Sequence, residues 1–501
     1  MEAGRWHLKP GRGVSQPQSL PGSPRPKMNR PFPPLPGRLL LLAYALLLPT
    51  HAALAAAPAP TPWRAGVATH KLTPPGPIWL AGYANRTAPS SGVDLDLHAK
   101  ALSLDDGAGG RLVLVTLDLI GITAELRAHV EREGAARFGL RPHEILLNAS
   151  HTHSGPLVDP ARMLVEQIFR RSARPEDVAA TEAFAAALRT TVVELLGASL
   201  AAAAPARLEF AQARAGFAMN RRRPEPGGTI SNNPHPAGPV DHDVPVLRVA
   251  GADGKTRALV FGYACHNTTL SGNLLSGDYA GHAQRDLEEA YPGATALFVT
   301  GAGGDQNPYP RRGVPGQTSE QLARQHGRAL ANAVHTVLAA RARPVAGPLR
   351  AALGPALLDY DPLPQPALAA YSPATHTPEV VARARALAAA QARGERPAPL
   401  PCAVHVVRLG SDLTLVAIAG EVVVDYALRL KRELAGPAAV WIAGYSNEVF
   451  GYLPSRRVLA EGGYEAVGAN TRLLTHPGPF APDAEDRVVG QAHALLRSLT
   501  P

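Results

Sequence analysis

Two histidines one residue apart, His151 and His153, stand in the segment Asn148-Ala-Ser-His-Thr-His-Ser-Gly-Pro156. On extended backbone, side chains two apart face the same side, so the pair is expected to point together. Paired imidazoles can ligate zinc; hydrogen-bonded loop histidines read the same way. His266 lies in Tyr263-Ala-Cys-His-Asn-Thr-Thr269, again just past an apolar run. It reads as a second strand-end site on a shared ion, or as a capping histidine. Glu421 follows Ile418-Ala-Gly, whose glycine lets the backbone approach closely. Two His and one Glu form a recurrent catalytic zinc set that leaves a place for water. The other reading of Glu421 is a carboxylate favoured at a helix N-terminus.

Tyr452 and Tyr464 sit in glycine-rich segments at 444–452 and 462–465. Tyrosines there pack, donate to an oxyanion or ligate zinc as phenolate. The glycines of Gly301-Ala-Gly-Gly-Asp-Gln-Asn-Pro308 are expected to bring backbone N–H groups near a ligand. No Gly-Lys-Ser/Thr follows, so this is not a P-loop. No Ser stands in a Gly-x-Ser-x-Gly setting, which argues against a serine hydrolase of that kind. Asp278, in Ser276-Gly-Asp278, reads as an outer-sphere partner of a ligand or as a turn residue.

These residues lie where apolar runs end. Residues 111–119, 144–147, 244–249, 258–263 and 296–300 read as strands, and 404–409 and 413–417 flank the turn Gly410-Ser-Asp412 as a hairpin. Helical patterns cover 124–138, 182–201, 320–340 and 423–434. Residues 362–400, with prolines bracketing a helical piece at 380–392, read as a surface insertion or lid. The alternation predicts an α/β fold with a mixed sheet. Sites in such sheets gather beyond the carboxyl ends of strands.

The 501 residues are 46% hydrophobic, enough for one large or two ordinary domains. Residues 1–36 are rich in Pro, Gly and basic side chains and read as disordered, with Met28 an alternative start. Arg38, the apolar run 39–48 and the small residues at 52–57 give 37–57 the form of a signal peptide and cleavage region. That run is too short to span a bilayer, so the protein is expected to be exported, to a periplasm or the extracellular space. Seven basic residues and one acid within 1–57 leave about +3 of the formal +9 to the rest. No basic patch is interleaved with aromatics, so nucleic acid is not an expected partner. An exported protein can pair Cys265 with Cys402; a buried free thiol is the alternative.

In this order, His-Thr-His-Ser-Gly-Pro, Gly-Glu and two tyrosines twelve apart resemble the neutral/alkaline non-lysosomal ceramidase family, from about Gly66 to the chain end. The resemblance implies a mixed-sheet α/β catalytic domain over 58–501, without the family's C-terminal immunoglobulin-like domain. It implies a Zn2+-dependent amidohydrolase that cleaves an N-acyl bond in a small-molecule or lipid amide, with peripheral contact to a membrane surface. By position, His151, His266, Glu421 and Tyr452 are the implied zinc ligands. His153 is implied to face the substrate carbonyl, Arg221 of Asn220-Arg221 to polarise it, and Tyr464 to donate to the oxyanion. Asp305 is a candidate base. The family's Gly-Asp-Val-Ser-Pro-Asn falls on Gly304-Asp305-Gln306-Asn307-Pro308-Tyr309, so its catalytic serine is Asn307 here. That departure keeps two other readings open: a zinc-containing relative that binds lipid or glycan without turnover, and a hydrolase of another amide or ester.

Overall fold

The apolar runs assemble into two sheets. In a computed structural model, which describes residues 63–158, 173–340 and 342–500, the larger sheet has a defined strand order. It runs Thr295–Thr300, Thr256–Tyr263, Asp243–Gly251, Ala204–Arg214, Trp63–Lys71, His98–Asp105, Arg111–Leu117, Ile145–Ala149. Arg343–Val345 pairs beside Ala204–Arg214. The outermost pair at each end is parallel and the inner pairs are antiparallel, giving the mixed sheet the sequence predicts. The smaller sheet runs Leu349–Leu358, Leu400–Leu409, Leu413–Ile418, Ala439–Ala443, its last pair parallel. The expected leader over 1–57 lies outside the described residues.

Alternating side chains give each sheet two apolar faces. Leu102, Leu114, Phe210, Val260 and Leu297 of the larger sheet meet Val407, Leu413 and Trp441 of the smaller in one buried cluster. The opposite face of the larger sheet, with Val113 and Val115, is covered by the helices Ala124–Phe138 and Pro175–Ala201. Its other half is covered by Asp278–Ala290 and Ser319–Ala339. Val424–Glu433 and Ala484–Ser498 cover the outside of the smaller sheet. The layers are therefore helices, sheet, sheet, helices.

One helix starts earlier than its periodicity suggests. Pro175 opens it and the Asp177 carboxylate accepts the Arg174 N–H at 2.9 Å, a start signal seven residues before 182. It is also the one helix among the described residues long and apolar enough to cross a membrane, with hydropathy 1.4. Its Leu188, Val192 and Leu196 are instead buried against the larger sheet.

The parallel pairs position the site, because they release the chain on one edge. Thr300 Oγ1 donates to the Ala149 carbonyl at 2.8 Å. Gly301 N–H bonds Tyr263 O, Gly444 N–H bonds Thr300 O, and Ala149 N–H bonds Tyr445 O, at 3.0 to 3.1 Å. Four strand ends from two sheets, with the loops that follow them, are thus bonded to one another.

Candidate metal centre and cleft

At the middle of this junction sits Asn148, fully buried. Its amide donates to Gly444 O at 2.8 Å and to Ser446 Oγ at 3.1 Å, and its Oδ1 accepts Thr300 N–H at 2.9 Å. One side chain thereby ties three strand ends together. Asn267 does the same nearby, donating to Ser150 O and accepting Ala280 N–H.

His151 and His153 do meet, but not by the expected route. His151 adopts φ 57°, a left-handed turn and not extended backbone. The turn swings the rings together, with Nε2 of His153 3.1 Å from Nε2 of His151. Gly82 makes room: at φ +96°, a Cβ there would stand 2.5 Å from the His153 ring.

His151 Nδ1 lies 2.6 Å from Ile120 O, and His266 Nδ1 lies 2.8 Å from Gly303 O and 3.1 Å from Gln306 O. A ring N–H given to a carbonyl leaves the other nitrogen as a lone-pair donor. Those donors converge: His151 Nε2 is 3.3 Å and His266 Nε2 is 3.5 Å from Glu421 Oε2, and His266 Nε2 is 3.3 Å from the Tyr452 hydroxyl. Donors about 2.05 Å from a tetrahedral zinc lie roughly 3.3 Å apart. Glu421 Oε2 is buried and lacks a hydrogen-bond partner, and a buried carboxylate oxygen left so is costly unless a cation meets it. The donor set therefore fits a small divalent cation. It also admits His153, placed by the family resemblance against the substrate, because its ligand nitrogen falls within 4.8 Å of those of His151 and His266.

Charge agrees with that fit. Burial, with Arg221 alongside, pushes His266 down to about 3. Burial and the two neighbouring imidazoles hold His153 well below the usual histidine range. Both rings are neutral donors at neutral pH. Burial works to raise Glu421, but His151 and His266 outweigh it and hold the carboxyl well below its ordinary range. Burial pushes the Tyr452 phenol up despite Arg221 beside it.

Arg221 is locked in place. Its Nε donates to Glu465 Oε1 and its Nη2 to the Tyr452 hydroxyl, both at 2.8 Å, while Nη1 is 3.3 Å from His266 Nε2 and 3.4 Å from Asn307 Oδ1. Glu465 also takes Arg222 at 2.6 Å. Pairing of Gln306–Pro308 with Ala218–Asn220 sets Asn307 next to this arginine. Thr268 Oγ1 donates to Asn307 Oδ1 at 3.4 Å. Tyr464 stands at the rim, 48% exposed, its ring 5.4 Å from that of Tyr452.

Other expectations come out differently. Asp305 is fully engaged: its carboxylate accepts Val424 N–H, Gln306 Nε2 and Asn220 Nδ2 at 2.8 to 3.0 Å. Burial pushes it up to about 6, yet no contact with the histidines is found among the described residues, so it positions loops. Asp278 likewise accepts Leu270 and Tyr279 N–H groups. The glycines at 301–304 serve backbone against backbone, not a ligand. A Cβ on Gly303 would lie 2.7 Å from Cys265 N, and one on Gly304 2.6 Å from Glu421 O. Cys265 and Cys402 are buried free thiols, not a disulfide. Three residues gave no usable signal: Asn148, Glu465, and Tyr445, whose ring lies 4.4 Å from that of His151.

The cluster opens into a cavity of about 400 Å³. Its walls include His151, His153, Glu421, Tyr452 and Tyr464, the apolar Ile120, Leu157, Phe450 and Leu473, and Thr375 and His376 from between the helices Gln365–Ala369 and Pro378–Ala392.

Fold and cluster define a four-layer α/β protein with a strand-end histidine–carboxylate centre. The family profile described as neutral/alkaline non-lysosomal ceramidase, N-terminal, matches residues 63–308. Neutral ceramidase A of Dictyostelium discoideum is 25% identical over 253 residues, 48% of this chain and 34% of that protein, so the match spans about a third of the relative. The crystal structure of neutral ceramidase from Pseudomonas aeruginosa superposes with a TM-score of 0.67 at 19% identity, covering 88% of this chain and 75% of that one. A ceramidase complexed with C2 gives the same score over 76% of its length. Similarity to the neutral/alkaline non-lysosomal ceramidase family thus covers residues 63–308, just under half of the chain, and the fold is that of the neutral ceramidase structures.

Proposed function

We propose that the protein is an exported, zinc-dependent amidohydrolase that cleaves an N-acyl bond. The observation that carries this reading is the convergence of His151, His153, His266 and Glu421 at 3.1 to 3.5 Å on the wall of a partly apolar cavity. His151, His266 and Glu421 would hold the ion, with Tyr452 or His153 completing the set. Bound there, zinc supplies Lewis-acid polarisation of a carbonyl and water acidified toward a pKa of roughly 7. The relatives are named neutral ceramidases, which supports a lipid amide as substrate.

The chain's own residues do the rest. Ile120, Leu157, Phe450 and Leu473 receive the acyl chain and exclude water. Arg221, fixed by Glu465, presents positive charge where the carbonyl oxygen becomes negative. Tyr464 adds a donor there, as does His153 where Tyr452 completes the metal set, and removing one such donor typically costs about 3–4 kcal/mol. Asn307 has no hydroxyl to attack with, so water and not this side chain is the nucleophile, and ceramide is one substrate to be tested rather than assumed.

Metal analysis and turnover of a panel of N-acyl amides, N-acylsphingosine included, test this. The wild type should carry near one zinc per chain and hydrolyse at least one amide; His151→Ala should fall to background in both. A His151→Ala variant with full zinc would sink the ligand assignment. Zinc-loaded wild type inert on every amide would leave the non-catalytic binding relative.

A further inference from the structure

The loop after Asn307 brings two arginines toward the same centre, and among the described residues no metal donor or carboxylate claims them. Arg312 donates through Nη1 to the Thr268 carbonyl and through Nη2 to the Tyr83 hydroxyl at 3.3 Å, its guanidinium 5.5 Å from the Tyr83 ring centre. Tyr83 in turn packs on His153, ring centres 4.8 Å apart. Arg311 lies near the same Tyr83, and its Nε is buried without a hydrogen-bond partner. The charge of Arg311 is felt at both His153 and Arg221. Tyr309 and Val314, on either side of the pair, are 47% and 41% exposed, so the loop also borders solvent.

The acids of this region are already engaged. Glu465 holds Arg221 and Arg222, Glu461 holds Arg222 and Arg457, and Glu421 faces the histidines. Among the described residues no carboxylate lies within ion-pair distance of Arg311 or Arg312. A half-buried guanidinium pair without an acid is costly on its own, by desolvation and by mutual repulsion. The planar fork of arginine fits a carboxylate on two bonds. The cavity walls include the apolar Ile120 and Phe450, His153, and Gly82 and Ala84 on either side of Tyr83, the residue through which Arg312 reaches the centre. An amide lying across the centre would put its acyl chain in the cavity and its amine portion toward the arginines.

We propose that Arg311 and Arg312 form a subsite for a carboxylate on the amine side of the substrate, so that the cleft takes N-acyl amino acids in preference to neutral N-acyl amines. This rests on the amide-hydrolase reading above. It makes the arginine loop the specificity determinant, and the metal cluster the part that reads only the amide.

Three amides with one acyl chain and amines of like length separate the alternatives: N-octanoylglycine, N-octanoyltaurine and N-octanoylethanolamine. With zinc-loaded protein, kcat/KM for the glycine amide should exceed that for the ethanolamine amide by at least about tenfold, the scale of one charge-assisted hydrogen bond. In Arg311→Gln/Arg312→Gln that ratio should fall toward one. Equal rates for the glycine and ethanolamine amides in wild type, or an unchanged ratio in the variant, would overturn the subsite. A preference for taurine over glycine would overturn the carboxylate assignment. If no amide is turned over, the hydrolase reading has failed. Direct titration of the same three compounds into the zinc-loaded protein then decides the subsite: tighter binding of the glycine amide, lost in the variant, upholds it, and equal binding rejects it.

Discussion

Glu421 is the residue whose chemistry is most exposed to test. It is ionised, buried, and its Oε2 has only imidazole nitrogens for company. Without an ion this is an unfavourable place for a charge; with one it is the anionic ligand. Glu421→Gln keeps the shape and removes the charge, so two opposite effects are expected. Zinc affinity, measured by competition titration, should weaken by about 10–100-fold or more. The metal-free variant should be at least as resistant to denaturant as metal-free wild type. A metal-free variant clearly less stable than wild type would mean that the carboxylate is structural. At this scale the sequence was informative about donors and poor about their supports. His151, His266, Glu421 and Tyr452 stand in short segments whose composition marks them. Asn148 and Glu465 act on partners nearly 300 and more than 240 residues away, and no local pattern encodes such pairings.

At the scale of elements, the glycine-rich loop 301–304 is a spacer between strand ends. Gly304 N–H bonds Val422 O at 2.8 Å and Gly303 O takes the His266 ring. Gly304→Ala would push the Glu421 backbone off the His266 loop, since the new Cβ falls 2.6 Å from Glu421 O. Zinc affinity and turnover should drop well before the global unfolding midpoint moves; a variant with wild-type zinc affinity would show the loop to be compliant. His405, central in Leu400–Leu409, offers a pH test away from the metal. Its Nε2 lies 2.9 Å from His143 O, and Asn447 Nδ2 approaches its Nδ1 at 3.4 Å. Burial pushes it from 6.5 to about 4. The unfolded chain therefore takes the proton first. Stability is full above about pH 6.5 and is lost as pH falls toward 4, by about 3 kcal/mol in all. Denaturation measured across that range should be flatter by up to one proton in His405→Gln; parallel curves would remove His405 from the account. Continuous apolar runs, such as those of Arg111–Leu117 and Thr295–Thr300, were legible. Ala204–Arg214 and Leu349–Leu358 were not read as strands: alanines dilute the alternation in the first, and Gly354 and Pro355 break the second, an edge strand where proline is tolerated.

Over the whole molecule, the candidate ligands come from both sheets. His151 and His266 follow strands of the larger one, Glu421 and Tyr452 follow strands of the smaller, and the cluster around Trp441 and Phe210 is the apolar seam between them. An ion held by all four can bind only when the two sheets are docked, so it acts as a clamp across that seam as well as a reagent. A ligand that binds the native state alone stabilises it by RT ln(1 + [L]/Kd), about 4 kcal/mol at a thousandfold excess over Kd. Stripping zinc with a chelator should therefore lower the denaturant midpoint of wild type, and restoring zinc should bring it back. Glu421→Gln should show a much smaller gap between its two curves, because it has lost the anionic one of the two ligands that follow strands of the smaller sheet. The clamp also predicts where the gap arises: amide exchange in Leu413–Ile418 and Ala439–Ala443 should speed up on chelation together with exchange in Thr256–Tyr263. If chelation accelerated exchange only in the loops at 150–153 and 265–267, the ion would be an ornament of the larger sheet, and the smaller sheet would have no share in the centre.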